Sequence, residues 1–319
     1  MDFFDRRVIG YKKLQNGVPC EDAVYIKKLK ECVIMACADG HGDRKCKFAA
    51  RGAELATRVI ISEIEKYYNE SESVEEFGEL LNDKRDELSA RIVCSWVGAV
   101  LDDYKINTPT DDGFASQYKE LRKYSGRIFE IRDEAMPAKE FRKLAEYRYN
   151  CENAIYKITL LYGTTVNAVV VSNKFAFAIG IGDGDVVAVN GKRVEWLLPF
   201  TQRFNSTSHS LSESFGSMLD HFFAVFVPIV SGRRLTENRF IPEFVMIATD
   251  GLRNAFLSDE EFAEKLLEIA ELMKKGNGHT FVKSSKQWLE ERTKYGVTQD
   301  DISFCLCTNH TLKRKRRRG

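Results

Sequence analysis

The chain has 319 residues, 44% hydrophobic and 30% charged, with 6 Pro and 21 Gly, which excludes a mainly disordered, collagen-like or low-complexity protein. The formal net charge of +1 conceals an asymmetry, because Lys313 to Arg318 is a run of six basic residues and the rest is mildly acidic; an acidic body argues against a fold built to bind nucleic acid. The length suits two domains, or one large domain carrying an insertion.

Residues 23–29 and 32–38 are apolar or alternating and are separated by Lys30-Glu31, which predicts a β-hairpin whose second strand is buried on both faces. That strand runs into Asp39-Gly40-His41-Gly42. A helix is expected from near Asp43, turning Phe48, Ala53, Ala56, Val59, Ile60 and Ile64 towards a core. Residues 74–160 are rich in Glu, Lys, Arg and Leu, and Phe77, Leu81, Leu88, Ile92, Trp96 and Ala99 follow one helical stripe. Thr108-Pro109 opens a break that ends at Gly113. Further helical patches are expected at 114–123 and 138–148, with Pro137 at a helix start. This stretch reads as a helical insertion, roughly 66–157.

Strand patterns return at 164–172, 174–181, 185–190 and 192–197, with Asn190-Gly191 as a hairpin turn. Residues 200–218 are rich in Ser, Thr and Asn and read as a loop. Residues 222–230 are apolar, and Phe244 to Thr249 is another buried strand, ending in Asp250-Gly251. Helices are expected near 258–275 and 280–293, and a last strand at 302–307.

The eight cysteines include no Cys-x-x-Cys pair, so neither a disulfide framework nor a zinc site is expected from them. The first residues lack an apolar secretory core, and no apolar run approaches the roughly 20 residues that span a bilayer. A soluble, cytoplasmic protein with no membrane span is expected.

The acidic residues carry the functional signal. Glu21-Asp22 precedes a strand, Asp39 and Asp250 each end a buried strand, and Asp300-Asp301 starts one. A sheet gathers such termini at one edge. Unpaired carboxylates brought together repel one another unless cations neutralise them, and hard oxygen ligands suit Mg²⁺ or Mn²⁺. Each site alone reads as a turn, since Asp-Gly is a common turn dipeptide; the order and context of all of them carry the argument.

Glu21-Asp22, Ala38-Asp39-Gly40-His41-Gly42, Gly163-Thr164-Thr165, Ile181-Gly182-Asp183-Gly184, Ala248-Thr249-Asp250-Gly251 and Asp300-Asp301-Ile302-Ser303 resemble, in order, the motifs of the metal-dependent protein phosphatases of type 2C. Gly10-Tyr11-Lys12-Lys13 with Pro19-Cys20-Glu21-Asp22 is similar to the first motif of the bacterial branch. The resemblance covers nearly all of residues 1–312 outside 66–157. It implies an α+β fold, a four-layer α-β-β-α sandwich of two antiparallel sheets flanked by helices, with metals in a cleft at one end. It also implies a ligand set for two Mg²⁺ or Mn²⁺ ions. Asp39 bridges them, Glu21 and the Gly40 carbonyl serve one, and Asp250 and Asp300 hold the other. Asp183 joins Asp250 at a third, weaker ion. Asp22 orients metal-bound water, which attacks phosphorus in line without a phosphoenzyme, and His41 protonates the leaving serine or threonine oxygen. The other histidines sit in no motif and are read as structural or surface residues.

Two departures stand out. Many family members place an Arg before the first acidic pair to bind the substrate phosphate, yet no Arg lies between Arg7 and Arg44. Lys13 and Arg44 are the candidates to replace it; Arg, a bidentate donor, suits a phosphate better. Asp301 stands where many members have Asn. The expected partner is a phosphorylated protein, either a kinase or a kinase's target, met by a monomer or weak dimer. The alternative is a weak or inactive module that binds a phosphoprotein or regulatory partner through the insertion. Residues 200–221 fall where the family has a variable flap, expected to influence substrate choice. The basic tail 313–319 is the only segment suited to nucleic acid or an acidic surface.

Overall fold

The computed structural model describes residues 1–126, 138–199, 208–229, 242–310 and 312. The basic tail 313–319, Pro137 and residues 200–207 of the expected flap lie outside the described residues. In chain order the strands are β1 (Asp2–Val8), β2 (Ala23–Lys28), β3 (Cys32–Ala38), β4 (Val166–Ser172), β5 (Phe175–Ile181), β6 (Asp185–Asn190), β7 (Arg193–Trp196), β8 (Phe223–Pro228), β9 (Phe244–Ala248) and β10 (Ile302–Thr308). The helices are α1 (Tyr11–Gln15), α2 (Ala49–Glu70), α3 (Val74–Asp83), α4 (Arg85–Asn107), α5 (Asp112–Ser125), α6 (Ala138–Thr159), α7 (Phe215–Asp220), α8 (Asp250–Asn254), α9 (Asp259–Lys274) and α10 (Gly278–Tyr295).

The strands form two antiparallel sheets, ordered β1-β10-β9-β6-β7 and β2-β3-β4-β5-β8. Three apolar layers hold them. Val33, Met35, Val169, Val186, Ile247 and Cys305 fill the space between the sheets. Outside the first sheet, Leu266, Ile269, Phe281 and Leu289 of α9 and α10 pack on Phe304 and Leu306. Outside the second, Ile60 and Ile64 of α2 pack on Ile34 and Val170, and the same cluster continues through Trp96, Leu121 and Ile155 of α4, α5 and α6. This is the expected four-layer sandwich. Strands β3, β4, β5, β9 and β10 are buried on both faces, which is why they read as continuous apolar runs and not as alternation. Among the described residues, no helix is long and apolar enough to cross a membrane.

Three local expectations change. The helix expected from near Asp43 starts at Ala49. Asp43 makes a turn instead, its side chain accepting from the Lys45 amide at 3.0 Å and its carbonyl from the Cys46 amide at 2.9 Å. The expected loop at 200–218 contains the start of α7. Residues 2–8, given no element from sequence, pair along their whole length with β10.

Candidate metal centre and active site

Sheet register gathers the acidic residues. Ala23 faces Ala38 across the β2–β3 pair, which puts Asp22 and Asp39 at the same end. Asp183 lies in the turn between β5 and β6, Asp250 opens α8 directly after β9, and Asp300 precedes β10. Threonines lock these ends together. The Asp39 carbonyl accepts from the Thr165 amide at 2.9 Å and from the Thr164 hydroxyl at 2.8 Å. The Asp39 amide donates to the Thr165 hydroxyl at 3.2 Å. Thr249 bridges the two sheets: its hydroxyl donates to the Asp22 carboxylate at 2.8 Å and accepts from the Ser303 amide at 3.1 Å. Asn254, one turn along α8, donates to Asp250 at 2.8 Å. Gly40 is required by close approach, since a Cβ there would lie 2.6 Å from the Glu21 carbonyl oxygen and 2.9 Å from the Ala49 backbone.

The cluster is electrostatically strained without cations. Burial drives the Asp39 carboxyl well above its ordinary range, and the charges of Asp22, Asp250, Asp300 and Asp183 add to it. Burial and then Asp301 push Asp22 up to about 7. Burial and then Asp183 push Asp250 up to about 7, although it shares a hydrogen bond with Asp39. Burial also raises Asp183. An all-oxygen donor set of this kind, crowded enough to hold protons near neutral pH, fits hard divalent cations such as Mg²⁺ and Mn²⁺. The Glu21 carboxylate lies beside the Asp-Gly-His-Gly stretch, where a Cβ on Gly42 would meet its Oε2 at 3.3 Å.

His41 sits against this cluster, its amide donating to the Gly163 carbonyl at 2.9 Å. Its Nε2 is buried and makes no hydrogen bond among the described residues. Burial holds the imidazole below its usual pKa, against the opposing charges of Asp183 and Asp43. Lys13 is committed to carboxylates: its ammonium lies 2.9 Å from Glu21, 2.8 Å from Asp301 and 3.6 Å from Asp300. Burial alone would lower the Lys13 pKa, but its hydrogen bonds to Asp301 and Glu21 hold it well above the ordinary lysine value. Arg44 is exposed in the turn after the Asp-Gly-His-Gly stretch.

Two residues carry contacts that the sequence did not display. Asp301, 2% exposed, accepts from the Gly10 amide at 2.7 Å, the Glu21 amide at 2.8 Å and Lys13 at 2.8 Å. It ties the first acidic motif to the last across 280 residues of sequence. Arg253 on α8, 1% exposed, pairs with Asp185 at 3.4 Å beneath the Asp183 turn. The signal for Asp301 was its doubled acidic neighbour; nothing in the sequence marks Arg253 apart from its spacing three residues after Asp250.

A family model described as Protein phosphatase 2C matches residues 9–292. No curated protein sequence matches the chain. Among solved structures, a bacterial serine phosphatase is similar at a TM-score of 0.51 and 12% identity, covering 98% of this chain and 100% of that one. The catalytic domain of the serine/threonine phosphatase PstP, in complex with two manganese ions, gives 0.48 and 14%, with 96% of each chain covered. Stp1 from Staphylococcus aureus gives 0.47 and 11%, covering 98% of this chain and 96% of that one. At such identities the first of these shows a shared fold. With the family model spanning residues 9–292, which include Glu21, Asp22, Asp39, Asp183 and Asp250 and the helices around them, the chain belongs to the protein phosphatase 2C family of metal-dependent protein phosphatases.

Proposed function

We propose that this protein hydrolyses phosphoserine and phosphothreonine in proteins at the cluster centred on Asp39. The observation that carries the reading is the convergence of Asp22, Asp39, Asp183, Asp250 and Asp300 at one edge of the sandwich, where burial and then the neighbouring charges raise the pKa values of Asp39 and Asp250. In this reading Asp39, Glu21 and the Gly40 carbonyl would hold one Mg²⁺ or Mn²⁺ ion, and Asp39, Asp250 and Asp300 a second. Asp183 with Asp250 offers a third, weaker position. When bound, such a pair supplies Lewis acidity and activates water for attack on phosphorus.

The chain's own residues do the rest. Asp22, held by Thr249, orients the attacking water. His41, with its Nε2 unengaged, donates a proton to the departing serine or threonine oxygen. A phosphate dianion entering the cleft adds the counter-charge that keeps the imidazole protonated, which burial otherwise disfavours. Phosphate binding falls to the exposed Arg44, because Lys13 is already paired with three carboxylates. The protein acts in the cytoplasm, as a monomer or weak dimer, on a kinase or a kinase's target. Helices α3 to α6, in the segment read from sequence as an insertion, provide a surface for that partner.

The test is phosphate release from phosphothreonine, phosphoserine and phosphotyrosine peptides, with Mn²⁺ and with Mn²⁺ plus EDTA. Release from the first two that stops in EDTA supports the reading. A folded protein that binds Mn²⁺ and releases nothing from any of the three points to a binding module.

A further inference from the structure

Beside the cleft, residues 208–221 carry a second cluster that the acidic centre does not use. His209, Glu213 and His221 place one ligand atom each within 4.8 Å of one another. The local fold makes this arrangement. Glu213 precedes the N-cap of α7 and His221 caps its C-terminus, and the Ser217 hydroxyl, within the helix between them, donates to Glu213. Glu213 reaches back to accept from His209 Nδ1 at 3.0 Å and from the Ser210 amide at 3.0 Å. The two imidazoles stack, with centroids 3.3 Å apart and planes 9° apart. His221 Nδ1 donates to the Ser217 carbonyl at 2.8 Å and lies 3.7 Å from Glu213.

We propose that His209, Glu213 and His221 form a binding site for a transition-metal ion of the Zn²⁺ class, separate from the carboxylate centre. The chemistry distinguishes the two. Two imidazoles and one carboxylate are the donor set of open zinc sites, with a fourth position left to water. Imidazole favours Zn²⁺ over Mg²⁺, so the flap and the acidic cluster sort ions by ligand type. Tetrahedral ligands about 2.0–2.1 Å from zinc stand roughly 3.4 Å apart, so the three side chains close by little more than an ångström. A metal lies in the plane of each imidazole it binds, so one of the stacked rings turns about its χ2. The Nδ1–H of His221 on the Ser217 carbonyl is the outer bond that fixes the tautomer of a ligating histidine. His209 shifts to the tautomer that carries its proton on Nε2, which frees the Nδ1 now bonded to Glu213 for the ion. His209 is half-exposed, which leaves an entry path.

The position matters because the same segment leans on the active centre. The Leu211 amide donates to the Thr164 carbonyl at 3.0 Å, and Thr164 in turn holds the Asp39 carbonyl. A bound ion would brace α7 against residues 209–213 and so steady the wall of the cleft.

The experiment saturates the full chain with Mg²⁺, dialyses it against micromolar Zn²⁺ and counts bound zinc by mass spectrometry. Wild type, His209→Ala, His221→Gln and Asp39→Asn are compared, with circular dichroism confirming the fold of each. One zinc per chain is expected in wild type and Asp39→Asn. Each histidine variant should bind zinc at least about tenfold more weakly, since even an outer-shell partner is worth that much. Zinc binding unchanged in both histidine variants, or abolished by Asp39→Asn alone, overturns the proposal. Because the acidic centre is tested only in the Asp39 arm, a failure of the phosphatase reading leaves this result readable.

Discussion

Replacing Asp301 tests the tie between the ends of the chain. Its carboxylate, 2% exposed, takes three hydrogen bonds, from the amides of Gly10 and Glu21 and from the Lys13 ammonium. Each bond to a charged partner contributes roughly 1.5–3 kcal/mol, and removing one member of a buried ion pair costs about 3–5 kcal/mol because the other is stranded. Asp301→Ala leaves Lys13 with Glu21 and Asp300, so part of the Lys13 interaction survives. The expected loss is therefore about 4 kcal/mol, read by urea unfolding in EDTA with tryptophan fluorescence. Asp301→Asn keeps one acceptor oxygen but turns an amide NH₂ towards Lys13 or the backbone donors, so it should recover only part of that loss. Lys13→Ala with Asp301→Ala should cost at least about 1 kcal/mol less than the two single losses added, because the stranded ammonium is gone. A loss below about 1 kcal/mol for Asp301→Ala, or a coupling near zero, refutes the assignment of Asp301 as the tie.

Other predictions follow from the site. A Cβ at Gly163 would lie 3.0 Å from His41 Nδ1 and 2.9 Å from Cys46 Sγ, so Gly163→Ala should displace the imidazole and lower kcat about a hundredfold, as expected for losing a general acid; calorimetry should show Mn²⁺ affinity unchanged. Without metal, Asp22 and Asp250 titrate near 7 in the folded protein against 3.8 as the ordinary value. The folded state then holds their protons more tightly than the unfolded chain, so this contribution is present below about pH 4 and is lost as pH rises through 7. Thermal unfolding in EDTA should show Tm falling from pH 5 to 7.5, and Mn²⁺ should remove that fall; a Tm that rises with pH in EDTA would show that burial and the neighbouring charges do not raise these carboxyls.

Much of the centre was legible in the sequence because its ligands sit at the ends of strands that announce themselves. Phe244 to Ala248 and Cys32 to Ala38 are apolar on both faces, so the acid that follows each one marks a sheet edge. What the sequence did not display is long-range. Strand β1 lies at a sheet edge, and its Arg6 packs over Phe4 and bonds to Ser285, partners that no local pattern reveals. Lys13 looked like a phosphate ligand by its place in the motif; its commitment to Asp301 depends on a contact 288 residues away. The helix expected from near Asp43 starts later because the Asp43 side chain closes a turn, a contact no periodic pattern reveals. His209 and His221 read as structural or surface residues because they sit in no motif, and only the fold around α7 brings them onto one carboxylate.

The most direct test of the central claim compares Mn²⁺-dependent phosphate release by wild type and Asp39→Asn on one phosphothreonine peptide. If Asp39 is the carboxylate shared by both ions, as proposed, its loss should remove several kcal/mol of transition-state stabilisation, about a thousandfold in rate, while the unfolding curve stays cooperative. A folded Asp39→Asn variant working within tenfold of wild type would contradict the account.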